Sequence, residues 1–245
     1  YKKAHDLPQF SAFHFTSYDN HKLSKEEIEN AKQTMSSYNF RQEYMASFEA
    51  RGSEMFKEDW IIFDDEEPSD GEYYVAVDLA GFADVGQSSK RKKTNLDSTA
   101  ISVVKVNQRG WWVKEIIHGR WDLNDTAMKI FQVVRDVRPL AVGIERGIAK
   151  QAVMSPLSDL MRQYVMYFRI EELSHGNKNK TDRIMWALQG RFENGMIRLN
   201  PGDWNDELCD QLFQFPDTLT HDDLPDSLAY IDQMATQIYA SDYVE

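Results

Sequence analysis

The sequence predicts an α/β domain whose sheet opens with antiparallel strands and continues with parallel ones. Three observations carry this: three successive strand-length apolar runs between residues 73 and 119, a helical pattern followed at once by the apolar run 139–145, and a late helix opened by clustered aspartates. Short β-branched and aromatic runs read as strands, and apolar residues recurring three and four positions apart read as helix.

The elements follow in order. In "LSKEEIENAKQTMSSYNFRQEYMASF", Ser24 and Glu27 form a capping signature, and Ile28, Ala31 and Met35 recur at helical spacing. A second short helix is expected from Ser36 or Ser37 through Phe40, Tyr44 and Phe48. This helical hairpin has too little apolar surface to stand alone and must pack on something else. The acidic segment "DDEEPSDGE" (64–72) separates it from "YYVAVDLAG" (73–81), a strand, so a boundary is expected near residue 68. "STAISVVKV" (98–106) and "WWVKEIIHG" (111–119) are strands joined by "NQRG", whose glycine suits a tight hairpin turn. Ala127, Ile130, Phe131, Val133 and Val134 give a helix over 124–137, and "PLAVGIE" reads as a strand buried on both faces, which implies a crossover to a parallel neighbour. A helix over about 150–163, a strand "YVMYFRI" (164–170), a helix near 181–193, a short "MIRL", a helix near 203–214 and a last helix from about 223 complete the order.

With 245 residues the chain can bury a sizeable core, and 42% hydrophobic with 12% aromatic residues fits a globular protein. No window approaches the roughly 18 apolar residues of a membrane span, and no signal-peptide core is seen at the N-terminus, so a soluble protein is expected. Cys209 is the only cysteine, which excludes an intramolecular disulfide and a thiolate zinc site and points to a reducing compartment. A net charge of −12 counts against nucleic acid as a partner unless part of that charge is a metal site and the basic residues are clustered.

The sequence contains no G-x-x-x-x-G-K-[ST], no H-E-x-x-H, no G-x-S-x-G and no G-x-G-x-x-G, so no ATPase motif is present and carboxylates remain as the candidates. Asp78 stands inside an apolar strand, where a charge is costly unless paired or bound to metal. Glu145 ends a buried strand, at the carboxyl side of the sheet where sites gather. Taken singly, Asp78 is equally explained by hydrogen bonds from the turn that follows, and Glu145 by pairing with Arg146. In "HDDLPDSLAY" (221–230), Asp223 suits an N-cap and Asp226 can share its face. Capping explains one aspartate and not three together with a carboxylate in each of two strands. Such a set suits two Mg²⁺ or Mn²⁺ ions, which take hard oxygen ligands and would cancel the mutual repulsion.

The pattern of three strands, helix, strand ending in Glu and late helix resembles the ribonuclease H-like fold, and "VDLAG", "GIERG" and "HDDLPDSLAY" resemble the three acidic motifs of the nuclease domain of bacteriophage terminase large subunits. The leading segment, "FHFTSYDNHKLSKEEIENAKQTMSSYNFRQEYMASFEARGSEMF", is similar to the stretch joining the packaging ATPase to that nuclease in the same family. The resemblance implies a mixed five-stranded sheet flanked by helices over 68–245, with an N-terminal helical linker over 1–67. Because no Walker motif is present, it also implies either a fragment or a motor on a separate polypeptide.

It further implies a metal-dependent endonuclease that cuts concatemeric viral DNA at packaging initiation and termination. Asp78, Glu145 and Asp223 would be the catalytic metal ligands, Asp226 and Asp222 further ligands, and His221 a neighbour behind or beside the site. Expected partners are double-stranded DNA, the packaging ATPase domain, the capsid portal and the terminase small subunit, in the host cell cytoplasm, with no membrane. Lys90, Arg91, Lys92 and Lys93 in one loop and Lys178, Lys180 and Arg183 in another are candidate phosphate contacts, although loop lysines are commonly just solvated. A structure-selective resolvase and a non-catalytic portal-docking module are the alternatives.

Overall fold

Strands β1 (Glu72–Asp78), β2 (Thr99–Asn107) and β3 (Gly110–Gly119) run antiparallel to one another and form the centre of a sheet. To one side β4 (Ala141–Glu145) and β5 (Ile170–Leu173) join in parallel, and to the other β6 (Ile197–Leu199) joins β3 in parallel, giving the order β5-β4-β1-β2-β3-β6. This computed structural model describes residues 13–35, 37–46, 55–79, 98–174, 179–216 and 222–235.

Side chains alternate across a strand, so each central strand feeds two cores. Val75, Val77, Ile101 and Val103 face α3 (Leu123–Val137) and α4 (Ile148–Gln163), meeting Ala127, Ile130, Phe131, Val153 and Leu157. Tyr74, Ala76, Ala100 and Val104 face the opposite layer. That layer holds α5 (Lys180–Ile184), which runs through a π-helical turn (Met185–Gln189) into α6 (Gly190–Glu193). It also holds α7 (Asn205–Gln214) and α8 (Asp223–Ala229). The crossover through α3 brings β4 beside β1, because helix-then-strand returns to a parallel neighbour.

The leading helices are α1 (Lys25–Thr34) and α2 (Ser37–Glu43). Ser24 Oγ accepts from the Glu27 N–H while the Glu27 carboxylate accepts from the Ser24 N–H, the reciprocal cap read from the sequence. Phe48 lies outside the described residues. The segment packs on the sheet-bearing body: Asn194 donates to Met35 O, Gln189 donates to Met55 O, and Phe56 is buried against Phe192 and Phe215.

Two elements differ from the sequence reading. The sheet has six strands rather than five, since "MIRL" contributes β6. Three residues carry no period to read. They form a strand because both of their edges are satisfied, by β3 on one side and on the other by Leu199 N–H to Ile62 O and Asp64 N–H to Leu199 O. The strand expected at 164–170 lies instead at 170–173. Val165 takes φ +51, which breaks extended backbone, and its side chain with those of Tyr164 and Tyr167 is exposed. The true strand, "IEEL", hides its signal behind two glutamates, which its edge position allows to reach Arg169, Arg146 and Lys150.

The β2–β3 hairpin turn closes on Gly110, whose φ is +128 and whose Cβ, if present, would lie 2.1 Å from the Met196 carbonyl oxygen. Gly110→Ala is therefore expected to destabilise the protein by at least about 1–3 kcal/mol, read as a lower urea midpoint, because strained φ and a backbone clash add.

Candidate active site

Strand register places two carboxylates side by side. Tyr74 pairs with Ala141 and Val77 with Ile144, so Asp78, one residue beyond, falls level with Glu145 and on the same face. That face is the one covered by α8, whose seven residues are all buried. The Asp78 and Glu145 side chains are hydrogen-bonding neighbours. Burial first, then this bond, then the charges of Asp226 and Glu145, hold the Asp78 carboxyl well above its ordinary range. Arg146 reaches Glu172 at 3.4 Å.

The late helix brings the remaining acids. Asp222, not Asp223, stands at the N-cap position and makes no side-chain cap there, so capping does not account for the cluster. Asp223, the first helical residue, accepts from the N–H and hydroxyl of Ser98 at 3.1 and 2.9 Å. Asp226 is the acid whose charge reaches Asp78. Its Oδ2 lies 3.0 Å from Lys180 Nζ and its Oδ1 2.6 Å from Arg183 Nη2, yet Oδ1 is buried without an aligned hydrogen-bond donor. Burial raises the Asp226 carboxyl, and the two cations act against that rise. Lys180 Nζ also meets Asp222 Oδ1 at 2.6 Å. Burial pulls Lys180 down, but Asp226 and Asp222 outweigh it and the net shift is upward.

Arg183 is 7% exposed, with its guanidinium 4.1 Å from the Tyr230 ring centroid and its Nη2 on Asp226. It is thus an internal residue of the site, where the sequence suggested a loop contact. Lys180 stands at the rim with 41% of its side chain exposed. Lys90, Arg91, Lys92, Lys93, Lys178 and His221 lie outside the described residues. Three participants escaped sequence reading: Ser98, Tyr230 and Ser227, whose hydroxyl meets that of Ser102 at 2.7 Å and lets α8 sit close on the sheet. Tyr230 had a signal, since it follows Asp226 by four positions on one helical face. Burial is the main cause of its raised phenol, and the charges of Asp226, Glu145 and Asp78 add to it.

Among the described residues no three His, Cys, Asp or Glu side chains converge closely enough to hold one metal ion. The donor chemistry nevertheless fits a hard divalent cation. Asp78 and Glu145 present hard carboxylate oxygens level with each other on one face, and the charge of the buried Asp226 reaches Asp78.

No protein-family model and no curated protein sequence matches the chain. Among solved structures, the large terminase from the thermophilic bacteriophage D6E superposes with a TM-score of 0.60 at 15% identity over 91% of this chain and 56% of that one. A second crystal form of the same protein gives 0.59 at 14% identity over 96% and 57%. A weaker likeness, 0.49 at 14% identity over 70% and 92%, is to the large terminase nuclease from thermophilic phage G20c with bound magnesium. The chain therefore spans just over half the length of the D6E protein it matches. Its fold, with three antiparallel strands continued by parallel β4 and β5, is ribonuclease H-like and is shared with a bacteriophage large terminase.

Proposed function

We propose that the chain is the nuclease portion of a viral DNA-packaging terminase, a divalent-metal-dependent endonuclease that cuts concatemeric double-stranded DNA when packaging starts and ends. The observation that carries this reading is the placement of Asp78 and Glu145 on adjacent strands, level and on one face, with Asp226 of α8 close enough to act on Asp78. The D6E likeness, which runs through most of the leading segment as well as the sheet, supports the terminase assignment over a resolvase.

In this reading Asp78, Glu145 and Asp226 are the ligands, with Asp223 and Asp222 able to join. Mg²⁺ or Mn²⁺, as a pair, would supply water activation and stabilisation of the leaving phosphodiester oxygen. The protein's own part is to hold the carboxylates on two strands and one helix, elements too rigid to let them spread apart. Ser98 fixes Asp223 and Arg183 fixes Asp226. The wall of Leu224, Leu228 and Tyr230 excludes water from behind the acids. Lys180, at the rim, is placed to meet a phosphate.

Residues 1–67 are the proposed connection to the packaging ATPase and 68–245 the nuclease domain. The capsid portal and the terminase small subunit are proposed partners, and the host cytoplasm the proposed compartment. Among the described residues no helix is long and apolar enough to cross a membrane.

The test is cleavage of supercoiled plasmid. Nicked and linear products are expected with Mg²⁺ or Mn²⁺ and none with chelator. Glu145→Gln is expected to lower the rate by about 10²–10³-fold or more, in the range for loss of one group that stabilises developing charge. Undiminished cutting by both Glu145→Gln and Asp78→Asn would remove the assigned site.

A further inference from the structure

We infer that Lys180 is a built-in, displaceable counter-cation: its ammonium occupies the side of Asp226 and Asp222 that a divalent cation takes, whereas Arg183 is a permanent partner. The inference deepens the nuclease reading and rests on it.

The two cations come from one helix, three residues apart, and reach the same carboxylate, yet their surroundings differ. Arg183 has 8% of its side chain exposed and lies against the Tyr230 ring, so leaving Asp226 would strand a buried guanidinium. Lys180 has 41% of its side chain exposed and a flexible four-carbon stem, so its ammonium can return to water by rotating about that stem. It bridges Asp222 at 2.6 Å and Asp226 at 3.0 Å, the two acids that flank the opening of α8. While it does so, its ammonium covers Asp226 Oδ2, the oxygen that Arg183, on Oδ1, leaves open. A divalent cation carries twice the charge of the ammonium and can also use Asp78 and Glu145, so it competes for Asp226 with an advantage that grows with its concentration. By linkage, removing the competitor must tighten metal binding.

The measurement is Mn²⁺ binding by calorimetry in the absence of DNA, on folded protein checked by circular dichroism and thermal melting. Lys180→Met is expected to bind Mn²⁺ roughly tenfold more tightly than the unmodified protein, within the usual range of coupling between two sites. Lys180→Arg, which keeps the charge, is expected to stay near the original affinity. Arg183→Met is expected to lower Tm, while Lys180→Met changes it little. Equal or weaker Mn²⁺ binding by Lys180→Met, with plasmid cutting by the unmodified protein intact, overturns the counter-cation role alone. If the unmodified protein neither binds Mn²⁺ nor cuts DNA, the nuclease reading falls with it.

Discussion

Asp78→Asn is expected to abolish metal-dependent DNA cutting while leaving the protein, without added metal, at least as stable as before. The two effects separate because the acid is held against its own preference. Burial, the side-chain hydrogen-bonding contact with Glu145 and the nearby Asp226 charge all raise the Asp78 carboxyl. A native-state value above the unfolded one means that the folded protein binds more protons between the two values. Stability from this group is therefore fully present below the ordinary aspartate range and is lost as pH rises through the raised native value. Asparagine carries no charge at any of these pH values and can donate its amide to Glu145. The variant should thus lose the downward slope of stability with pH in that window and melt higher at neutral pH, about 2–4 °C for each kcal/mol recovered. Melting curves across the window, with and without Mn²⁺, check both halves. A variant that melts lower than the unmodified protein at every pH would show that Asp78 is a structural hydrogen-bonding residue.

Asp226→Ala is expected to have the opposite character, costing about 3–5 kcal/mol in urea unfolding. Its removal leaves the Arg183 guanidinium buried against the Tyr230 face with this ion-pair partner lost. Asp222→Ala, by contrast, removes only the more exposed end of the Lys180 bridge and should cost no more than about 1 kcal/mol, as exposed pairs do. A site whose acids are both ligands and counter-charges thus divides by depth. On the proposed function, Asp78 is expected to cost stability and to be required for cutting, and Asp226 to be required for both stability and cutting.

Much of this arrangement was legible in the sequence, and the gaps have physical reasons. Asp78 and Glu145 could be read as carboxylates on two strands; that Asp78 ends β1 and falls level with Glu145 needed the register, which the β1–β4 ladder supplies. The third acid could not be read in the same way. Each residue along a helix turns the side chain by roughly 100°, so the difference between Asp223 on Ser98 and Asp226 toward Asp78 depends on how α8 is rotated over the sheet. That rotation is set by tertiary packing, including the Ser102–Ser227 contact, and not by local spacing. Arg183 looked like a loop charge because "NKNKTDRI" is polar, yet Asn179 caps the helix there and carries Arg183 inward one turn later. Strand β5 was displaced because an edge strand can carry glutamates and because the aromatic run before it is exposed.

Anomalous diffraction from crystals soaked in Mn²⁺ locates the cation relative to these acids. Manganese is expected to be held jointly by Asp78 and Glu145, with Asp226 Oδ2 on it and Lys180 withdrawn. Manganese bound elsewhere on the protein, with the Asp78–Glu145 hydrogen bond and the Lys180–Asp226 pair both intact at saturating metal, would contradict this placement.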